Sequence, residues 1–138
     1  MDKRTELAIS KFIVIRRGLY LVLVAVFLSG CSGTEQEFAN LPSPDGTHVL
    51  IVTVTKPLMP HARHIVTVYV RRGDTAKPQK LTAVPLENDG VPFTDQNIGL
   101  RWTGVSRALV CLRPTDLPDQ GVRVNVADAP IAEVRPGC

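Results

Sequence analysis

Two valine-rich segments with alternating side-chain character dominate the first half of the chain. Seven of the ten residues at 47–56 are β-branched, which is typical of a strand whose two faces are both partly covered. In the segment 65–72, Val66, Val68 and Val70 fall on one side of an extended chain, because successive side chains of a strand point to opposite faces. A short proline-containing stretch joins the two segments. The pattern predicts an antiparallel β-hairpin.

Further short strands are predicted in the rest of the chain, each limited by residues that favour turns. These segments are 80–84, 98–102, 107–113, 121–126 and 131–134. No sustained helical period occurs after residue 41. Six or seven short strands predict an all-β fold, either a small antiparallel β-sandwich or a bent meander. This β-rich domain is expected to span residues 47–138.

The apolar run at 19–28 follows a basic segment. Residues 1–17 carry five Lys and Arg against two acidic residues, and a positive segment before a short apolar core is typical of a secretory signal. As a helix, the ten-residue run would span ~15 Å, which is about half of the ~30 Å hydrocarbon layer. The run therefore predicts an export signal and not a transmembrane helix.

The apolar run ends in Leu28-Ser29-Gly30-Cys31, which resembles the lipobox of bacterial lipoproteins. The resemblance implies a cleaved signal peptide over 1–30, a diacylglyceryl group on the Cys31 sulfur and, usually, an acyl chain on its new amino group. Two acyl chains give stable membrane anchoring, whereas one binds only marginally. Ser32 implies transfer to the outer membrane, with the domain facing the periplasm. No cofactor other than this covalent lipid is expected.

Residues 31–46 are predicted to link the anchor to the domain. The stretch 32–40 is polar and reads as a flexible tether, and Ser43-Pro44-Asp45-Gly46 has the composition of a turn. This turn, the two valine-rich strands and the Ile-x-Leu-x-Trp pattern at 98–102 resemble small β-domains of bacterial lipoproteins that have no assigned function. That resemblance implies no activity.

The net charge of +3 comes entirely from the leader. Residues 31–138 hold eleven basic and eleven acidic residues, so the processed chain is formally neutral. Sequence-independent nucleic-acid binding usually requires a basic domain, and we therefore expect no nucleic-acid partner.

Two cysteines, Cys111 and Cys138, remain after Cys31 is set aside. Exported proteins meet an oxidising compartment, which favours a disulfide. The bridge would close a 28-residue loop, and chain entropy alone would then stabilise the fold by ~3.6 kcal/mol. A reactive or intermolecular thiol is the alternative, although no Cys-x-x-Cys motif indicates a redox enzyme.

The candidate metal ligands are Met59, His61 and His64, with His48 across the predicted hairpin. Imidazole and thioether ligands suit copper, and imidazole alone suits zinc. Arg63 between two of the histidines opposes a bound cation, and solvated loop histidines are the simpler explanation of the pattern.

No catalytic motif stands out. A Gly-x-Ser-x-Gly elbow is absent, and no strand face carries the paired carboxylates that glycosidases use. We therefore expect a non-enzymatic, lipid-anchored envelope module, either binding or structural, whose partners are the membrane and another envelope protein. A periplasmic copper- or zinc-handling lipoprotein is the alternative.

Overall fold

The computed structural model describes residues 33–59, 62–74, 76–87, 91 and 93–138. Cys31 and the predicted signal peptide lie outside these residues. Residues 33–138 form one compact unit. Within the described part of the chain, no helix is long and apolar enough to cross a membrane.

The first sheet is an antiparallel meander of four consecutive strands. They are β1 (Thr34–Pro42), β2 (His48–Lys56), β3 (His64–Arg72) and β4 (Gln79–Leu86). Their spatial order is β1-β2-β3-β4. Val52 pairs with Val68 at the centre of β2 and β3, which confirms the predicted hairpin.

The second sheet repeats this arrangement with shorter strands. They are β5 (Ile98–Trp102), β6 (Arg107–Leu112), β7 (Gln120–Asn125) and β8 (Ile131–Pro136). Their spatial order is β5-β6-β7-β8, and all neighbouring pairs are antiparallel. The predicted all-β fold is therefore confirmed, with eight strands in the described part of the chain where six or seven were expected.

The additional strand is β1, and the prediction of a flexible tether was wrong for this segment. β1 pairs with residues 49–56 of β2, on the edge of β2 that does not face β3, so it covers an edge that would otherwise be open. A bulge between Glu37 and Ala39 accommodates Phe38, which packs on the core and meets Phe93 edge-to-face at 5.9 Å. The folded domain therefore begins at Gly33 and not at residue 47.

Side chains from both sheets form one aliphatic core. The largest fully buried side chains are Leu50, Leu86, Leu112, Val52, Val66, Val68, Val110 and Val122. They come from strands of both sheets, so each sheet buries one face against the other, as in a β-sandwich. The sandwich alternative of the prediction is the one observed.

Two hydrogen bonds show which ends of the two sheets lie together. The Trp102 Nε1–H donates to the Leu41 carbonyl oxygen at 3.1 Å, beside the β1–β2 turn. The Thr115 N–H donates to the Glu87 carbonyl oxygen at 3.3 Å, where β4 and β6 have just ended. We call the end beside the Trp102–Leu41 bond the Gly46 end, after the glycine of the β1–β2 turn. We call the end beside the Thr115–Glu87 bond the Gly33 end, because β1 starts there.

The β1–β2 turn is held by side-chain hydrogen bonds. The hydroxyl of buried Ser43 donates to Asp45 Oδ1 at 2.6 Å, and the Thr47 hydroxyl donates to Asp45 Oδ2 at 2.9 Å. Gly46 has a φ of 72°, which glycine adopts without steric cost. The predicted turn is confirmed, and its aspartate accepts hydrogen bonds on both oxygens.

Cys111 and Cys138 form the predicted disulfide, with Cα atoms 5.4 Å apart. The bridge joins β6 to the last residue of the chain. Gly121 allows this return, because a Cβ at that position would lie only 2.5 Å from the Gly137 carbonyl oxygen.

The Cys138→Ala substitution should destabilise residues 33–138. Losing a native disulfide in a small secreted domain costs roughly 2–5 kcal/mol. Urea unfolding measures the change, and reductant should lower the stability of the wild type but not of the variant. Equal stabilities of the oxidised wild type and the variant would contradict this role.

The Asp45 carboxylate should contribute an acid-sensitive part of the stability. Hydrogen bonds from Ser43, and then from Thr47, lower its pKa from 3.8 to about 2. A depressed folded pKa gives stability that is present above pH 3.8 and is lost as the pH falls towards about 2. Thermal melting across this interval should show a shallower acid decline in Asp45→Asn than in the wild type. Asp128→Asn, in the β7–β8 turn, removes the same charge outside this network and is the matched control; parallel declines in all three proteins would refute the assignment.

Candidate functional site on the second sheet

Arginines occupy outward positions of the second sheet because they alternate with core residues. Arg123 lies between Val122 and Val124, both of which are buried. The strand register places Arg101 opposite Leu109, and Leu109 opposite Arg123. These three residues therefore form one row across β5, β6 and β7. Because neighbouring strands lie about 4.8 Å apart, the two arginine Cα atoms of the row are separated by about 10 Å.

A second row lies closer to the Gly46 end. Arg107 pairs with Asn125, and Asn125 pairs with Ile131 of β8. Arg107 directly follows the β5–β6 turn, where the Thr103 N–H donates to its carbonyl oxygen. We call the surface formed by Arg101, Arg107, Arg123, Leu109 and Ile131 the arginine face.

The three arginines of this face lack an acidic partner within the described residues. The salt bridges of that part of the chain involve Arg63, Arg113 and Arg135. Glu133 lies opposite Arg123 in the register, but its carboxylate pairs with Arg135. The arginine face therefore carries uncompensated positive charge although the processed chain is neutral.

An open groove of about 560 Å³ runs over the arginine face and is also lined by Thr103, Asn125, Glu133 and Cys138. Guanidinium groups form paired hydrogen bonds with carboxylates and phosphates. Half-buried Leu109 and exposed Ile131 place aliphatic surface among these charges. The face can bind an anionic partner that also presents apolar surface.

The structure separates two of the predicted metal ligands, His48 and His64. His48 pairs with Arg72 at one end of the β2–β3 hairpin, whereas His64 pairs with Leu86 at the other. Seven to eight residues of strand separate these positions, which corresponds to roughly 25 Å. The prediction that His48 joins His64 was wrong, because an antiparallel hairpin puts the start of β2 beside the end of β3.

The His64 ring packs against an aromatic neighbour. It stacks on Phe93 with ring centroids 5.3 Å apart, and its Nδ1 is buried with no hydrogen-bond partner among the described residues. Burial, followed by the charge of Lys56, lowers the pKa of His64, so the neutral ring is favoured. His61 lies outside the described residues, and metal binding by Met59, His61 and His64 stays a prediction.

A carboxylate lies beside the disulfide. Atoms of Cys111, Asp119 and Cys138 fall within 4.8 Å of one another, a spacing that would suit a metal if the sulfurs were thiolates. Thiolates are the ligand form of cysteine, and both sulfurs are engaged in the disulfide. In the oxidised protein this group is a structural crosslink.

The outer face of the first sheet carries a small polar network. Glu35 Oε1 accepts hydrogen bonds from the Thr53 hydroxyl at 2.6 Å and the Tyr69 hydroxyl at 3.0 Å. The bond from Thr53, followed by that from Tyr69, lowers the pKa of Glu35. Burial, followed by the bond to Glu35, raises the pKa of Tyr69. Both shifts move the pKa values further from neutral pH. A general acid or base works best with a pKa near the working pH, so the network does not indicate acid–base catalysis.

Comparisons with known proteins give no further assignment. No family model matches the chain, and the searches of curated proteins and of solved structures find no match.

The sequence analysis did not predict the arginine face. The available signal was an arginine flanked by inward-facing apolar residues in β5 and again in β7.

Proposed function

We propose that this protein is a lipid-anchored, non-enzymatic module of the bacterial envelope. Its arginine face binds an acidic surface of another envelope protein. The observation that carries the proposal is the uncompensated row of Arg101, Leu109 and Arg123 across three strands. Binding of one anionic partner by several guanidinium groups at once would account for three arginines on one sheet face.

A protein partner fits the composition of the face. Arginine is enriched in the cores of protein interfaces, where lysine is depleted. Ile131 is 61% exposed at the edge of the same surface, so the face combines charge with aliphatic area. A neutral processed chain offers little of the long-range attraction on which non-specific nucleic-acid binding depends.

The lipobox resemblance at Leu28-Ser29-Gly30-Cys31 supports the envelope location. The Cys111–Cys138 disulfide fits export, since disulfides persist in the periplasm and are rare in the cytosol. Ser32 after the anchor favours the outer membrane with the domain facing the periplasm.

Reversing charge on the arginine face should release the partner. A photoreactive amino acid at Asn125, in intact cells, should give a discrete crosslinked product with one envelope protein. The double variant Arg101→Glu, Arg123→Glu should reduce its yield at least about tenfold, because close charge pairs across interfaces contribute ~1.5–7 kcal/mol each. Immunoblotting followed by mass spectrometry measures the yield and identifies the partner.

The matched control is Lys77→Glu, Lys80→Glu, which makes the same change in charge in the other sheet's β3–β4 region. It should leave the crosslink intact. Equal losses in both double variants would show a general charge effect, and the absence of a discrete product would overturn the binding role.

Replacing Cys31 by Ser should abolish lipidation and cleavage of the leader, because the lipid is joined to the thiol as a thioether. Metabolic labelling with an alkyne fatty acid should mark the wild type and the Ser32→Ala control. Equal label on Cys31→Ser would refute the anchor, whatever the arginine face binds.

A further inference from the structure

The folded domain starts almost immediately after the proposed anchor. Only Ser32 and Gly33 separate Cys31 from Thr34, the first residue of β1. Three residue steps extend at most about 11 Å. A Cβ at Gly33 would overlap the Lys56 carbonyl oxygen, so the chain at Gly33 already packs against the end of β2. A lipid on Cys31 therefore holds the Gly33 end of the domain within about 11 Å of the membrane surface.

The same end presents the most exposed large apolar side chains of the described residues. Leu58 is 67% exposed and Met59 is 74% exposed, and both follow directly after β2. Thr34 pairs with Lys56, so the start of β1 and this apolar pair are neighbours at one end of the sheet. Val91 and Leu117, at 49% and 46% exposure, lie in the two other connections of the Gly33 end.

A basic residue beside the apolar pair suits a membrane surface. Lys56 is exposed, and a lysine can place its aliphatic stem along apolar groups while its ammonium reaches lipid phosphates. Arg63 is paired with Glu87 at 3.0 Å, so the charge of that carboxylate is partly neutralised. Basic groups close to anionic lipids strengthen such contacts.

We propose that Leu58 and Met59 insert into the headgroup region of the membrane that holds Cys31. The lipid surface is the occupant because the proposed anchor would bring it within about 11 Å of this end. The inference rests on the proposed lipid anchor. It implies that the domain is oriented, with the Gly33 end against the membrane and the Arg107 row at the opposite end of the second sheet.

Tryptophan fluorescence in the lipidated full-length protein tests this orientation. Met59→Trp and Val105→Trp are compared in a Trp102→Phe background, reconstituted into phosphatidylethanolamine and phosphatidylglycerol vesicles with brominated acyl chains. Val105, exposed in the β5–β6 turn of the Gly46 end, is the matched control. The emission maximum of the tryptophan at position 59 should shift to shorter wavelength, and its intensity should fall by about half. The reason is that insertion places this side chain roughly 5–10 Å into the headgroup and acyl boundary. The reporter at position 105 should keep its emission.

A measurement on the wild type avoids any effect of these substitutions on folding. Met59 is the only methionine after the leader, and thioether oxidation by peroxide requires access to the sulfur. Its oxidation in lipidated, vesicle-bound protein should be several-fold slower than in residues 33–138 without lipid. Mass spectrometry counts the sulfoxide.

The outcomes separate the inference from the anchor. If the chain does not float with vesicles, the anchor itself fails and the inference falls with it. If the chain floats but both reporters are unquenched and Met59 oxidises at the unlipidated rate, the anchor stands and the membrane contact is overturned. Protection of Met59 without bromolipid quenching would show burial in a second copy of the chain and would also overturn it.

Discussion

The structure depends on one aliphatic core that neither sheet completes alone. Its largest fully buried members are leucines and valines from both meanders. β-Branched side chains suit the pleated surface of a sheet, and valine is short, so the two sheets can pack closely with few aromatic residues. Val52 and Val68 belong to the first sheet, and Val110 and Val122 belong to the second. A shift of one residue in the register would turn such side chains to the outer face, so every strand must keep its alternation of inward and outward residues. The outward positions are then free to carry function.

This alternation explains which parts of the fold the sequence predicts. The segments that form β2 to β8 show apolar residues at strand spacing between turn residues, and all were recognised. β1 was missed because it is an edge strand whose side chains are mostly exposed. Its stability comes from backbone pairing with β2 and from Phe38, and neither leaves a periodic signal in a polar sequence. A lone Phe in a polar stretch next to a turn was the only indication.

The candidate site was harder to predict because it depends on register. Arg101 and Arg123 are 22 positions apart in the sequence, and only the pairing of both with Leu109 brings them into one row. The histidines show the reverse situation. His48 and His64 attracted attention as chemically capable residues, yet the antiparallel pairing of β2 with β3 sends them to opposite ends of the hairpin. Residue type suggested a metal site, and the strand register separated its members.

Pairing of β1 with β2 also changes how the proposed anchor acts on the domain. A tether of fifteen or so flexible residues would let the domain sample a volume several tens of ångströms across. With β1 starting at Thr34, the proposed anchor would instead hold the domain through a link of at most about 11 Å. The Trp102–Leu41 and Thr115–Glu87 hydrogen bonds fix the second sheet to the first, so an orientation imposed at Gly33 is transmitted to the arginine face. Under this proposal, the anchor would determine which surface of the domain faces a partner. The short segment between Cys31 and Thr34 would then contribute to the specificity of binding.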